Sequence, residues 1–195
     1  LAAYDKALKA APNDTGVLLE TALTRIMLRQ YEQAARDCTA SLSTSTTATA
    51  YALRGFAHLK AGAFDRALED STNALTIEPE NATALLVRAN VNLARGKPAE
   101  ALSESRKALR LDPTQAWAYV THGSALLASG RKDEAKKLLD QAVALAPNDG
   151  EAYLARGRCL IALGNQAKAR KDIEKALVLD AALASTARAE LDKLK

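Results

Sequence analysis

The phrase "ALKAAPND" begins at Ala7 and returns as "ALTIEPEN" from Ala74, "ALRLDPTQ" from Ala108, "AVALAPND" from Ala142 and "ALVLDAAL" from Ala176. The last four copies start 34 residues apart. A fixed period of this length constrains the fold more than any other feature. Each copy must be one supersecondary piece that buries its apolar face only by stacking on its neighbours. The interval from Ala7 to Ala74 is 67 residues, two periods less one, so a further copy lies between them, "SLSTSTTA" from Ser41. Continued to Gly55 as "SLSTSTTATAYALRG", this stretch reads in isolation as a flexible linker between domains. The register places it inside the array instead. Ser41 and Leu42 stand where Ala74 and Leu75 stand in the next copy, and Thr47 stands where Asn81 does. This joint lacks the proline of the other copies and is one residue short. That predicts a continuous array with a locally altered stacking angle.

Other residue classes recur in the same register. A small residue stands at Ala22, Gly55, Ala89, Gly123 and Gly157. Seven residues on come Arg29, Gly62, Gly96, Gly130 and Gly164, and twelve residues on come Ala34, Ala67, Ala101, Ala135 and Ala169. Small residues at fixed spacing let two helix backbones approach closely. Gly after an apolar-periodic stretch ends a helix, because it accepts the left-handed conformation there. Pro12, Pro79, Pro113 and Pro147 end the second helix of a copy and turn the chain. Just beyond each turn stands a candidate helix N-cap: Asp14, Thr47, Asn81, Thr114 and Asn148. Each copy therefore reads as helix, tight turn, helix, tight turn.

This ladder resembles the tetratricopeptide repeat family. The period and the small-residue, Gly, Ala and Pro positions fit. So does an aromatic or Leu four residues before the small residue, at Leu18, Tyr51, Leu85, Tyr119 and Tyr153. The resemblance implies an all-α fold, a right-handed superhelical solenoid of antiparallel helix pairs. The register predicts one array over 1–195, with repeats at 15–47, 48–81, 82–115, 116–149 and 150–183. Residues 1–14 read as the second helix of a partial repeat, so further sequence is expected upstream. Residues 184–195 place Ala187, Leu191 and Leu194 on one face and read as a polar-faced capping helix. The fifth repeat departs from the pattern with Ala181 in place of proline.

A second departure is the residue just before the small one, where the family usually has Leu. Here it is Thr21, Arg54, Arg88, His122 and Arg156. Sixteen residues after each Arg stands an acid: Asp70, Glu104 and Asp172. Where the Arg becomes His122, the acid becomes Leu138. The spacing predicts an ion pair between the two helices of three repeats, worth at most about 1 kcal/mol if exposed.

The resemblance also implies a concave binding wall lined by the first helix of each repeat, at positions three before, one after and four after the small residue. The candidate groove residues are Leu19, Leu23, Phe56, Leu86, Asn90, Val120, Ser124, Leu154 and Arg158, with the single Trp117 on the same side. The wall runs from apolar to more polar along the chain. Leu and Ile at such places serve the inter-repeat core more often than a ligand. The family's carboxylate-holding clamp wants Lys three before the small residue. Leu19, Ala52, Leu86, Val120 and Leu154 stand there, which argues against binding of chaperone C-terminal tails.

Composition narrows the function class. The 27 basic and 23 acidic residues give a formal charge of +4, spread along the chain, and aromatics are 4%. Neither a concentrated phosphate-binding patch nor a base-stacking platform follows, so nucleic acid is not expected as a partner. No apolar run reaches the roughly 18–20 residues of a membrane span. Cys38 and Cys159 form no C-x-x-C and read as buried and inert, which favours a reducing, cytoplasmic compartment. His58 and His122 fall in different repeats, and no phosphate-loop, nucleophile-elbow or zinc-protease motif occurs. The reading is a non-catalytic protein-interaction scaffold without cofactor or metal, binding a peptide, helix or loop of a protein partner. The alternatives are a structural or regulatory arm of a larger polypeptide, or self-association through the array ends.

Overall fold

In the computed structural model, which describes residues 10–11 and 13–194, α-helices follow one another in antiparallel pairs. The predicted partial-repeat helix at 1–14 lies largely outside the described residues. Two compact units divide at Arg95 and Gly96.

The first unit contains α1 (Thr15–Met27), α2 (Tyr31–Thr44), α3 (Ala48–Lys60), α4 (Phe64–Ile77) and α5 (Ala82–Ala94). Helix α1 packs on α2 and α3 on α4, while α2 and α4 also pack on the first helix of the following repeat. The core is built from small side chains. Ala22, Ala34, Ala35, Cys38 and Ala57 form one cluster, with Leu19, Ile26 and Leu53 against it. Short side chains at the contact bring helix axes toward the lower end of the usual spacing. The α3–α4 turn shows how each pair is closed. Gly62 has φ +77, its N–H donates to Leu59, and the Ala63 N–H donates to His58 at 2.8 Å. These two bonds satisfy the last carbonyls of α3. In the α1–α2 turn Arg29 takes the same left-handed conformation, φ 59, and accepts the steric cost that Gly avoids.

Caps explain the first-helix starts. Asp14, Thr47 and Asn81 accept from the amides of Val17, Ala50 and Ala84 at 2.9, 3.2 and 3.0 Å. Across the Ser/Thr-rich stretch, α2 continues to Thr44 and α3 starts at Ala48, one residue beyond the Thr47 cap.

The second unit contains α6 (Pro98–Leu111), α7 (Ala116–Ala128), α8 (Lys132–Leu145), α9 (Gly150–Ala162), α10 (Gln166–Leu179), a short 3-10 turn (Ala181–Leu183) and α11 (Ala184–Asp192). Two of the predicted caps need correction. Thr114 turns its amide and hydroxyl onto Asp112, at 3.0 and 2.7 Å, and Gln115 is the N-cap of α7. For α9 the cap is Asp149, not Asn148, with its side chain accepting from Glu151 at 2.9 Å. At α9 the capping acceptor is the adjacent Asp149, whereas α7 starts without a side-chain cap, its Thr114 held by Asp112. The α7–α8 core joins Val120, Leu126, Leu139 and Val143 to Ala152, Ala155 and Cys159 of α9. Close approach is tightest at Gly157, where a Cβ would sit 2.7 Å from Ile173 Cγ1. Where proline is missing after α10, Asp180 caps the 3-10 turn by accepting from Ala182 at 3.0 Å. Ala187, Leu191 and Leu194 then pack against Leu154, Leu160 and Ile173.

Candidate functional site

The first helices carry the candidate interaction faces, and helix geometry sorts their residues. At about 100° per residue, the position three before the small residue lies roughly 60° from it, and the position one after lies roughly 100° away. The first should turn toward the packing face and the second toward its edge. Burial follows that order. Leu86 is 0%, Leu154 5% and Val120 9% exposed. These three predicted groove residues are buried. Leu19, in the same column on α1, is half-buried against the Ala22–Cys38 cluster.

The other column reaches the surface. In the first unit Leu23 is 39% exposed, and Phe56 and Asn90 are half-buried. The Lys60 ammonium lies 5.5 Å from the Phe56 ring centroid, and the Asn90 amide donates to Leu86 O at 2.8 Å. Met27, one turn beyond Leu23, is 84% exposed. In the second unit Trp117 and Ser124 are half-buried. Arg158 is already engaged, since its Nε donates to Glu190 Oε1 of α11 at 2.9 Å.

The predicted ion pairs take shape beside these faces. Arg54 is bidentate on Asp70, with Nε at 3.0 Å from Oδ2 and a terminal nitrogen at 2.7 Å from Oδ1. Its remaining terminal nitrogen donates to Thr39 of α2 at 3.1 Å. Arg156 repeats the arrangement on Asp172, at 2.7 and 2.8 Å, and reaches Asp140 of α8 at 3.3 Å. Each guanidinium also lies over a tyrosine three residues earlier, Tyr51 at 5.5 Å and Tyr153 at 5.4 Å. These pairs therefore tie each first helix to two second helices, beyond the single contact that spacing suggested. Arg88 and Glu104 fall in different compact units. A further pair escaped the sequence reading: Arg25 of α1 donates to Asp37 of α2 at 2.5 Å. Its signal was present, since Asp37 stands sixteen residues after Thr21, in the column of Asp70.

His122 takes a hydroxyl partner from the preceding repeat. Its Nδ1 lies 2.8 Å from Ser105 Oγ, both groups buried. The Ser105 hydroxyl donates to Ala101 O at 2.6 Å, so the imidazole N–H is the donor to Ser105. A serine committed in this way, with no exposed surface, is not a nucleophile. Burial first, then the charges of Arg106 and Arg131, depresses the His122 pKa. The unfolded chain thus binds more protons below about pH 6.5, and stability should fall as pH drops through that value. Equilibrium unfolding at pH 7.5 and pH 5 should show this loss, and His122→Gln should flatten the slope. An unchanged slope would contradict it. Burial, followed by the neighbouring Asp37 charge, pushes the Cys38 thiol up to about 12, and burial also raises Cys159. Both thiols stay protonated and unreactive at neutral pH.

Among the described residues no group of His, Cys, Asp and Glu is placed to hold a metal ion. No described helix is long and apolar enough to cross a membrane.

Comparison with known proteins places this geometry. One tetratricopeptide repeat model matches residues 92–155 and 126–191, and a second matches 52–116. No curated protein matches the sequence significantly. Among solved structures, the chain is similar to a thermophilic TPR protein of Thermus thermophilus, with 22% identity and a TM-score of 0.75. That match covers 91% of this chain and 98% of the other. It is also similar to the Cut9–Hcn1 hetero-tetramer of the APC/C, with 17% identity and a TM-score of 0.81, over 98% of this chain but only 38% of the other. YrrB, described as a TPR protein with an unusual peptide-binding site, matches at 23% identity and a TM-score of 0.56, covering 95% and 97% of the two chains.

Proposed function

The chain belongs to the tetratricopeptide repeat family, and from that membership we propose that it is a scaffold holding a peptide, helix or loop of a protein partner against its first-helix faces. Repeats of this family generally mediate protein–protein interaction, and the family is generally non-catalytic. One observation carries the choice of face. The column one after the small residue stays at the surface, while the column three before it is buried at Ala52, Leu86, Val120 and Leu154 and half-buried at Leu19. In the first unit that surface column holds Leu23, Phe56 and Asn90, two apolar groups beside one amide. Aromatic side chains are enriched in the cores of protein interfaces, and Phe56 supplies one here. In the second unit Trp117 and Ser124 offer the same pairing. The peptide-binding site described for the like-folded YrrB is a ligand class in keeping with this reading.

The test is a photo-crosslinking residue at position 56, compared with one at the exposed Thr72 of α4. Crosslinking to the partner is expected from position 56 and not from 72. Phe56→Ala should then weaken affinity for that partner by about tenfold, with the unfolding midpoint little changed. Crosslinking from position 72 alone, with affinity unaffected by Phe56→Ala, would reject the assignment.

A further inference from the structure

Each compact unit holds a cleft of the same construction, away from the surface column of the first helices. In the first unit it lies between α2 and α4 over α3, with a volume of about 740 Å³. Arg54 and Asp70 form its floor, while Arg36 and Arg66 on the rim are matched by Glu32 and Glu69. In the second unit the cleft lies between α8 and α10 over α9, with a volume of about 280 Å³. Its floor is the equivalent pair, Arg156 and Asp172, together with buried Leu160.

The rims differ in charge. In the second unit both carboxylates that line the cleft are already used. Asp172 holds Arg156, and Asp140 holds Lys136 at 2.7 Å while also receiving Arg156. Lys168 and Lys171 are left over. Both are exposed, and neither ammonium has an ion-pair or hydrogen-bond partner among the described residues. Lys175 continues the same helix face at the i, i+3, i+7 spacing, exposed and equally unmatched. The cleft and its continuation are therefore a row of lysines along α10, none of them in an ion pair among the described residues, with the exposed Glu174 standing beside Lys171 and Lys175.

We propose that the α8–α10 cleft is a docking surface for an acidic segment of a partner protein, an extended stretch with carboxylates on alternate residues. Charge complementarity selects the occupant. Spacing selects its form. Along α10 the lysines rise by about 4.5 and 6 Å from one to the next. Alternate residues of an extended chain lie about 6.6 Å apart on one face, within reach of flexible lysine stems. The balanced rim of the first-unit cleft offers no such selection, although its floor is the same. This surface is distinct from the first-helix faces and does not depend on their role.

The test titrates the full chain with a fluorescent peptide of alternating Glu and Ser, read by anisotropy. Salt is held at about 0.1 M, where exposed charges act over about 10 Å. Binding is expected, and the matched Gln–Ser peptide should not bind. Lys168→Glu with Lys171→Glu should weaken binding by about tenfold or more, with an unchanged unfolding midpoint. Arg36→Glu with Arg66→Glu should leave it within about twofold. The proposal fails if the wild type does not bind the peptide or if the two reversals weaken binding equally. It also fails if an oligonucleotide of equal charge displaces the peptide at lower concentration than the unlabelled peptide does, since the surface would then select phosphates.

Discussion

Leu86→Ala should cost the first unit about 3 kcal/mol of stability and leave partner affinity, per folded molecule, unchanged. Leu86 lies on the first helix of its repeat, where family resemblance would place a groove contact. It is nonetheless 0% exposed. Removing three buried carbons loses their transfer free energy and leaves a cavity that helices packed through alanines relax into only partly. The contrast is Leu23→Ala. Leu23 is 39% exposed, so its truncation should cost well under 1 kcal/mol of stability. Its effect should instead appear in binding. Denaturant unfolding, resolved to α5 by amide exchange, measures the first quantity, and titration with a partner corrected for folded fraction measures the second. If Leu86→Ala left stability within about 0.5 kcal/mol and weakened binding, Leu86 would return to the groove.

Leu86 also marks where sequence reasoning reaches its limit. The 34-residue ladder rests on local backbone chemistry. A glycine at position 62 announces a left-handed helix end, and φ +77 follows from that chemistry alone. Even the exception was legible, because Arg29 falls in the same column and takes the same conformation at φ 59. Alanines at 34, 67, 101, 135 and 169 are all 0% exposed because each stands where two helices meet. Side-chain reach is another matter. Whether Thr114 caps α7 depends on Asp112 two residues earlier, which takes its hydroxyl and amide first. His122 has no acid in its register and finds Ser105 of the preceding repeat. Arg25 reaches Asp37 from one turn beyond the expected place. These partners lie across helix interfaces, where a one-turn change of origin is invisible to a linear register. Arg158 illustrates the same point for function, since its engagement by Glu190 depends on where the last helix lands.

Arg54→Ala is expected to destabilise the first unit by about 3 kcal/mol, several times what an exposed ion pair would lose. The asymmetry of burial decides this. The Arg54 side chain keeps 22% of its exposure, whereas the Asp70 side chain keeps 3%. Truncating the arginine strands a carboxylate that the fold has removed from water. The nearest remaining cation is His58, with Nε2 at 3.7 Å from Asp70 Oδ2, beyond hydrogen-bond distance. In the intact repeat the His58 pKa is depressed, by burial first, and its separation from Asp70 leaves the lost guanidinium hydrogen bonds unreplaced. The same substitution also removes the bond to Thr39 and the stacking on Tyr51, which join α3 to its neighbour and to its own first turns. Arg54→Lys should recover only part of the loss, because an ammonium cannot span both carboxylate oxygens and Thr39 at once. The decisive comparison is the double variant Arg54→Leu with Asp70→Leu. If the cost of the single change comes from an orphaned buried charge, the double variant should be more stable than Arg54→Leu alone. If it proves less stable, the guanidinium matters mainly as packing and as a tether to α2, and the charge pair is incidental to the stability of the repeat.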